Sequence, residues 1–177
     1  QKKLEQLRED VLYMSEIVLD QLRDGLDALD RRDEDLAWDV IKGDHEVNEH
    51  YLTLESDCVD LLALQQPVAS DLRFIAASFK IITDLERIGD LATNLGDYTF
   101  DAERTLFPEV DVQEIGAEVT VMVEDAMTAY AERDVAACYE IADRDDRIDE
   151  LSEQASETVV RELIEHESLH GAEDEIQ

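Results

Sequence analysis

Leu4, Leu7, Val11, Met14 and Val18 recur at alternating three- and four-residue steps, and Leu22, Leu26 and Leu29 continue the row. Such spacing lays one apolar stripe along a helix of about 3.6 residues per turn. The run ends at the polar stretch RRDEDL. A second helix is predicted from about Leu36 through Val40, Val47 and Leu54 to Leu62. QQP stops it, because Pro67 has no amide hydrogen and disfavours helical geometry just before it. A third helix starts near Ser70 and runs past Asp97. After the linker LFPEVD, residues 106–111, two more helices are expected over about 112–131 and 134–166, and the tail HGAEDEIQ reads as frayed. No segment shows the two-residue alternation of a strand, so the expected class is all-α.

The two halves repeat. A constant offset of 101 positions lays Val18 on Val119, Leu22 on Val123, Leu26 on Met127 and Asp33 on Asp134. The same offset pairs Val40 with Ile141, Asp44 with Asp145, Val47 with Ile148 and Leu62 with Leu163. The implied unit is a three-helix bundle in tandem, with the first repeat over 1–105 and the second over 110–177. The second bundle is incomplete: at this offset its third helix would begin near Ser168, nine residues before the end. The expectation is a shortened form of a longer chain.

Charge changes the picture of the surface more than of the core. The 177 residues hold 47 Asp and Glu against 15 Lys and Arg, a formal net charge of −32, while 44% hydrophobic residues are enough for a real core. Such a field repels nucleic-acid phosphates and anionic lipid heads. Only Lys2, Lys3, Lys42 and Lys80 are lysines. Acids on nearly every polar face indicate a halophilic source, where molar salt screens self-repulsion. No apolar run reaches the ~18–20 residues of a membrane span, and no signal-peptide pattern is present. Cys58 and Cys138 lie in periodic helical segments without a CxxC and read as buried free thiols of a reducing cytoplasm. His45 and His50 do not make an HExxH arrangement, and Gly-rich phosphate loops and Gly-x-Ser-x-Gly are missing.

Against this background, DLERIGD (residues 84–90) stands out. The seam Leu72, Ile75, Phe79, Ile82 arrives at Glu86, so an acid falls where apolar packing is expected. Glu86 and Asp90 are one turn apart on one face, and Asn94 extends the row. A second stripe, Ile81, Leu85, Ile88, Ala92 and Leu95, stays apolar, which marks the third helix as the central one or as an oligomer face. The second helix presents Asp44 and Asn48 with the same spacing, and the repeat presents Asp145 and Asp149. Acids facing across adjacent helices form an oxygen-rich site for a hard or borderline cation. Di-iron bundles add a Glu-x-x-His partner, and none of these acid rows carries one. Arg73 and Arg87 are candidates for structural ion pairs with Asp71, Asp84 or Glu86. Acid pairs four apart also arise by chance in so acidic a chain, as at Glu5/Glu9 and Asp20/Asp24.

Residues 40–98 resemble the first repeat of the PhoU family of phosphate-uptake regulators. The resemblance rests on D-x-x-V-N from Asp44 to Asn48, on Q-P-x-A-x-D-L-R from Gln66 to Arg73, and on L-E-R-I-G-D from Leu85 to Asp90. RDDRIDEL, residues 144–151, is similar to the matching helix of the second repeat. The resemblance implies two pseudo-symmetric three-helix bundles, a homodimer, and a non-enzymatic regulator in the cytoplasm. Its implied partners are the ATPase of the phosphate ABC importer and, in many bacteria, a phosphate-sensing kinase. It also implies a multinuclear iron or zinc site, here at Asp44, Asn48, Glu86, Asp90 and Asn94, with Asp145 and Asp149 as half of a second site that lacks its sixth-helix ligands. Two other readings stay open: a regulator of a different ion transporter, and a carboxylate-bridged di-metal enzyme.

Overall fold

The computed structural model describes residues 2–64, 68–101, 111–134 and 136–141, together with Glu150 and Glu153. Four helices account for nearly all of it: α1 Lys2–Arg31, α2 Glu34–Leu64, α3 Ala69–Thr99 and α4 Val112–Glu132. A further helical stretch begins at 136 and is described to 141. No strand occurs among the described residues, as the sequence predicts. The second-repeat acids Asp145 and Asp149 lie outside the described residues.

The first three helices form one bundle in which each touches the other two, and α4 lies on the open side of α1. Val11, Met14, Val18, Val47, Leu54, Cys58, Ile75 and Ile82 are at the centre, and Val123, Met127 and Tyr130 of α4 join the same cluster. Each fully buried aliphatic side chain contributes about 1.5–3 kcal/mol relative to exposure. A smaller cluster of Leu22, Leu26, Val40 and Ala92 continues it towards the α1–α2 turn.

Among the described elements α1 and α3 share the centre: α1 packs against the other three, and α3 packs along α1 and α2 and meets α4 where Phe74 and Ser78 contact Tyr130. One expectation changes. On α3 the buried face follows Phe74, Ile75, Ser78, Ile82, Leu85, Gly89 and Ala92. Leu72 and Phe79, expected in the seam, are exposed at 46% and 37%. A helix wedged between two neighbours buries a broad face, and here that face turns from Ile82 to Leu85 rather than to Glu86. Glu86 therefore stands at the rim of the packed face, one turn pair beyond Phe79.

The turns give the repeat its clearest physical form. After α1, Arg32 takes a left-handed φ of 54°; Asp33 then donates its amide to Ala28 O at 3.0 Å and accepts from the Leu36 amide at 3.1 Å. After α4, Arg133 has the same φ of 54°. Asp134 donates its amide to Ala129 O at 2.9 Å and accepts from the Ala137 amide at 3.1 Å. Every partner is displaced by the repeat offset. The two helices also run antiparallel: Arg8 donates to Ala131 O at 3.0 Å, Gln113 donates to Leu26 O at 2.9 Å, and Arg23 pairs with Glu124 between them.

Removing a side-chain cap costs about 1 kcal/mol. Asp33→Ala and Asp134→Ala should each lose that amount in urea unfolding, and a loss at only one site would show that the turns are not energetically equivalent. The thiols also part company: Cys58 is buried, but Cys138, expected inside, is exposed. Burial pushes the Cys58 thiol up to about 11. A thiol reagent at neutral pH should therefore label Cys138 in the folded protein and Cys58 only after denaturation.

Candidate metal-binding site

The site lies where α2 and α3 face each other midway along the bundle. Asp44 and Asn48 come from α2 and Glu86 and Asp90 from α3. Asn48 donates Nδ2 to Asp44 Oδ2 across a long 3.4 Å. The other oxygen, Asp44 Oδ1, is buried and has no hydrogen-bond partner. Buried carboxylate oxygens are ordinarily satisfied, since leaving one bare costs about 1–3 kcal/mol or more.

The electrostatics tie the two helices together. The Asp44 carboxyl is held above its usual range by burial and then by the charge of Asp90, against the lowering effects of Asn48 and His45. Glu86 is likewise raised by burial first and then by Asp90, Asp44 and Glu55. The negative charge of Asp90 thus acts on carboxyls of both helices, the mark of like charges held close on facing helices.

The sequence pairing is therefore only partly realised as a ligand set. Among the described residues, no three His, Cys, Asp or Glu side chains converge closely enough to hold a metal by themselves. Asp90 and Asn94 are exposed and Glu86 is half-buried. The expected structural ion pairs do not form: among the described residues Asp71, Arg73, Asp84 and Arg87 make no ion pair with one another or with Glu86. Arg73, Asp84 and Arg87 are exposed and Asp71 is partly so.

A residue outside the sequence-predicted set also reaches this level. Gln21 of α1 is 7% exposed, and neither its Oε1 nor its Nε2 has a partner. Its head sits between two glycines: Nε2 is 2.8 Å from where a Cβ on Gly43 would stand, and Oε1 is 3.4 Å from that of Gly89. The signal was present in the pattern, since Met14, Val18, Gln21, Gly25 and Ala28 follow three- and four-residue steps and all are buried.

A tandem-repeat helical bundle with acid rows on the facing helices of its first repeat is the class that these features define. The PhoU domain matches this chain over residues 11–99 and again over 112–175. The phosphate-specific transport system accessory protein PhoU of Serratia marcescens is 35% identical over 169 residues, covering 93% of this chain and 67% of that one. The PhoU homolog of Aquifex aeolicus is 32% identical over 166 residues, covering 93% and 75%. The crystal structure of PhoU from Pseudomonas aeruginosa superposes with a TM-score of 0.86 at 34% identity, over 93% of this chain and 80% of its own. The chain belongs to the PhoU family.

The raised carboxyls have a consequence for stability. A group whose folded pKa is raised favours folding below its unfolded pKa, and that contribution is lost as pH rises through the folded value. In metal-free protein, Asp44→Asn should therefore raise the melting temperature at pH 7. The gain should shrink as pH falls towards the ordinary aspartate value of 3.8. Calorimetry across that range checks it, and a variant no more stable than the parent at pH 7 would remove the electrostatic tension from the site.

Proposed function

We propose that this chain is a non-enzymatic regulator of the phosphate ABC importer, restraining uptake by binding the importer's ATPase when phosphate is plentiful. Family membership supports the reading, because its curated relatives are named as accessory proteins of the phosphate-specific transport system. Among the described residues, no helix is long and apolar enough to cross a membrane. The proposed setting is the cytoplasm, the proposed assembly a homodimer, and the net charge of −32 fits a salt-rich one. A sensor kinase is a second proposed partner. The same charge disfavours capture of free phosphate by the protein alone, since an anion would need a bridging cation.

The metal part of the proposal rests on one observation: a buried Asp44 oxygen with no partner, on a carboxyl that burial and the charge of Asp90 hold above its usual range. A divalent cation, iron or zinc in the proposal, would supply the missing positive charge. Asp44, Glu86 and Asp90 would hold it, with Asn48 orienting Asp44 through its amide and Asn94 one turn beyond Asp90. In the second repeat the same role is proposed for Asp145 and Asp149. The chain's residues bind and position; no nucleophile–base pair is invoked.

Immobilised protein in molar KCl should retain the importer ATPase from native lysate. Glu86→Ala combined with Asp90→Ala should lower the bound transition metal measured by elemental analysis. Recovery of a different transporter's subunit would move the regulated substrate to another ion, and unchanged metal content would sink the site assignment. An oxygen-dependent optical signal from iron-loaded protein would favour the di-metal enzyme instead.

A further inference from the structure

Five polar side chains are buried among the described residues: Ser15, Gln21, Ser78, Thr99 and Thr120. Four of them hydrogen-bond a carbonyl of their own helix, at 2.6 Å to Leu12 O, 2.8 Å to Phe74 O, 3.1 Å to Leu95 O and 2.7 Å to Gly116 O. Gln21 alone has no partner at either end of its carboxamide. A glutamine head is too long to fold back onto its own helix as a hydroxyl does, so a core glutamine needs a partner from elsewhere.

Its position says where that partner belongs. The carboxamide occupies the space left by two missing side chains, at Gly43 and Gly89. Gly43 immediately precedes Asp44 and Gly89 immediately precedes Asp90. A Cβ at Gly43 would stand 2.8 Å from Nε2, so an alanine there would force the head out of place. The unpartnered buried atoms are Gln21 Oε1, Gln21 Nε2, Asp44 Oδ1 and Arg8 Nε. Arg8 has its other nitrogens paired, to Ala131 O and Glu5. The remaining three belong to one helix facing the site and to the site itself.

We propose that Gln21 is a further ligand of the carboxylate site, supplying its amide oxygen from α1 beneath the donors of α2 and α3. The proposal rests on the reading that this site binds a divalent cation. Among the described residues the acids alone do not form a ligand set, and Gln21 would add a donor from a third helix. An amide oxygen is a hard neutral donor of the kind that calcium, magnesium and manganese sites use beside carboxylates. It also adds no charge to a cluster whose members already oppose one another.

Manganese(II) is the probe, titrated into the metal-free full chain in molar KCl and followed by the loss of its free-ion paramagnetic resonance signal. High salt screens diffuse attraction to the acidic surface. The parent should bind, Glu86→Ala/Asp90→Ala should not, and Gln21→Met should bind at least tenfold more weakly at an unchanged far-ultraviolet circular dichroism spectrum. Gln21→Glu, which keeps an oxygen and adds a charge, should bind at least as tightly as the parent. Parent-like binding by Gln21→Met overturns the Gln21 assignment while leaving the carboxylate site standing. If Gln21→Met does not fold, weaker binding by Gln21→Glu overturns it instead. A parent that binds no manganese defeats the cation reading, and the Gln21 assignment falls with it.

Discussion

Everything in the described bundle is arranged around α1, which must satisfy three neighbours at once. Its Val11, Met14 and Val18 are fully buried, and no single stripe on a helix can face α2, α3 and α4 together. Two stripes do so, one running through Leu7, Val11, Met14, Val18, Gln21, Gly25 and Ala28 and the other through Ser15, Leu19, Leu22 and Leu26. The first ends in small residues apart from Gln21, which brings α3 close: a Cβ on Gly25 would meet Ala92 O at 3.0 Å. On the opposite side Tyr130 fastens α4 to the bundle. Its ring stacks on Phe74 with centroids 5.2 Å apart, and its hydroxyl shares a 2.6 Å hydrogen bond with Ser78. Burial pushes that phenol up to about 12, so the bond persists across the whole physiological pH range.

The same crowding makes the carboxylate site possible. Acids at the rim of a rigid helix pair cannot swing apart to relieve repulsion, as they would on a loop. Asp44 and Glu86 are consequently held with raised pKa values, as Asp24 and Asp57 are elsewhere on the bundle by burial and neighbouring acids. A folded chain that tolerates this tension at one place has given up some stability there, a common mark of sites kept for binding.

The boundaries of the four described helices, to within a few residues, were legible because they follow from spacing alone. Pro67 and the RRDEDL break needed no tertiary knowledge. The errors came where one helix meets two neighbours. Leu72 and Phe79 lie in a perfect apolar row, yet the buried face of α3 rotates past them because α1 and α2 cover a different arc. Motif spacing puts Asp44 on one helix and Glu86 and Asp90 on its neighbour, and the helices do pack together. The ion pairs of Arg73 and Arg87 were not realised, since an i to i+3 spacing permits a pair without requiring one. Gln21 was passed over because a polar residue inside a hydrophobic run usually marks the solvent side, and its burial depends on two glycines that lie on other helices.

The contact between Arg23 and Glu124 reaches back beyond the present chain. These two positions are equivalent in the two repeats, and they meet where α1 and α4 cross antiparallel. In a symmetric pair of separate single-repeat chains, that position would confront its own copy, and any charge there would repel itself. Joining two copies in one polypeptide lifts the constraint, because each copy can then mutate alone. An arginine against a glutamate is thus a pairing that two identical chains could not make at this position and that the fused repeats can.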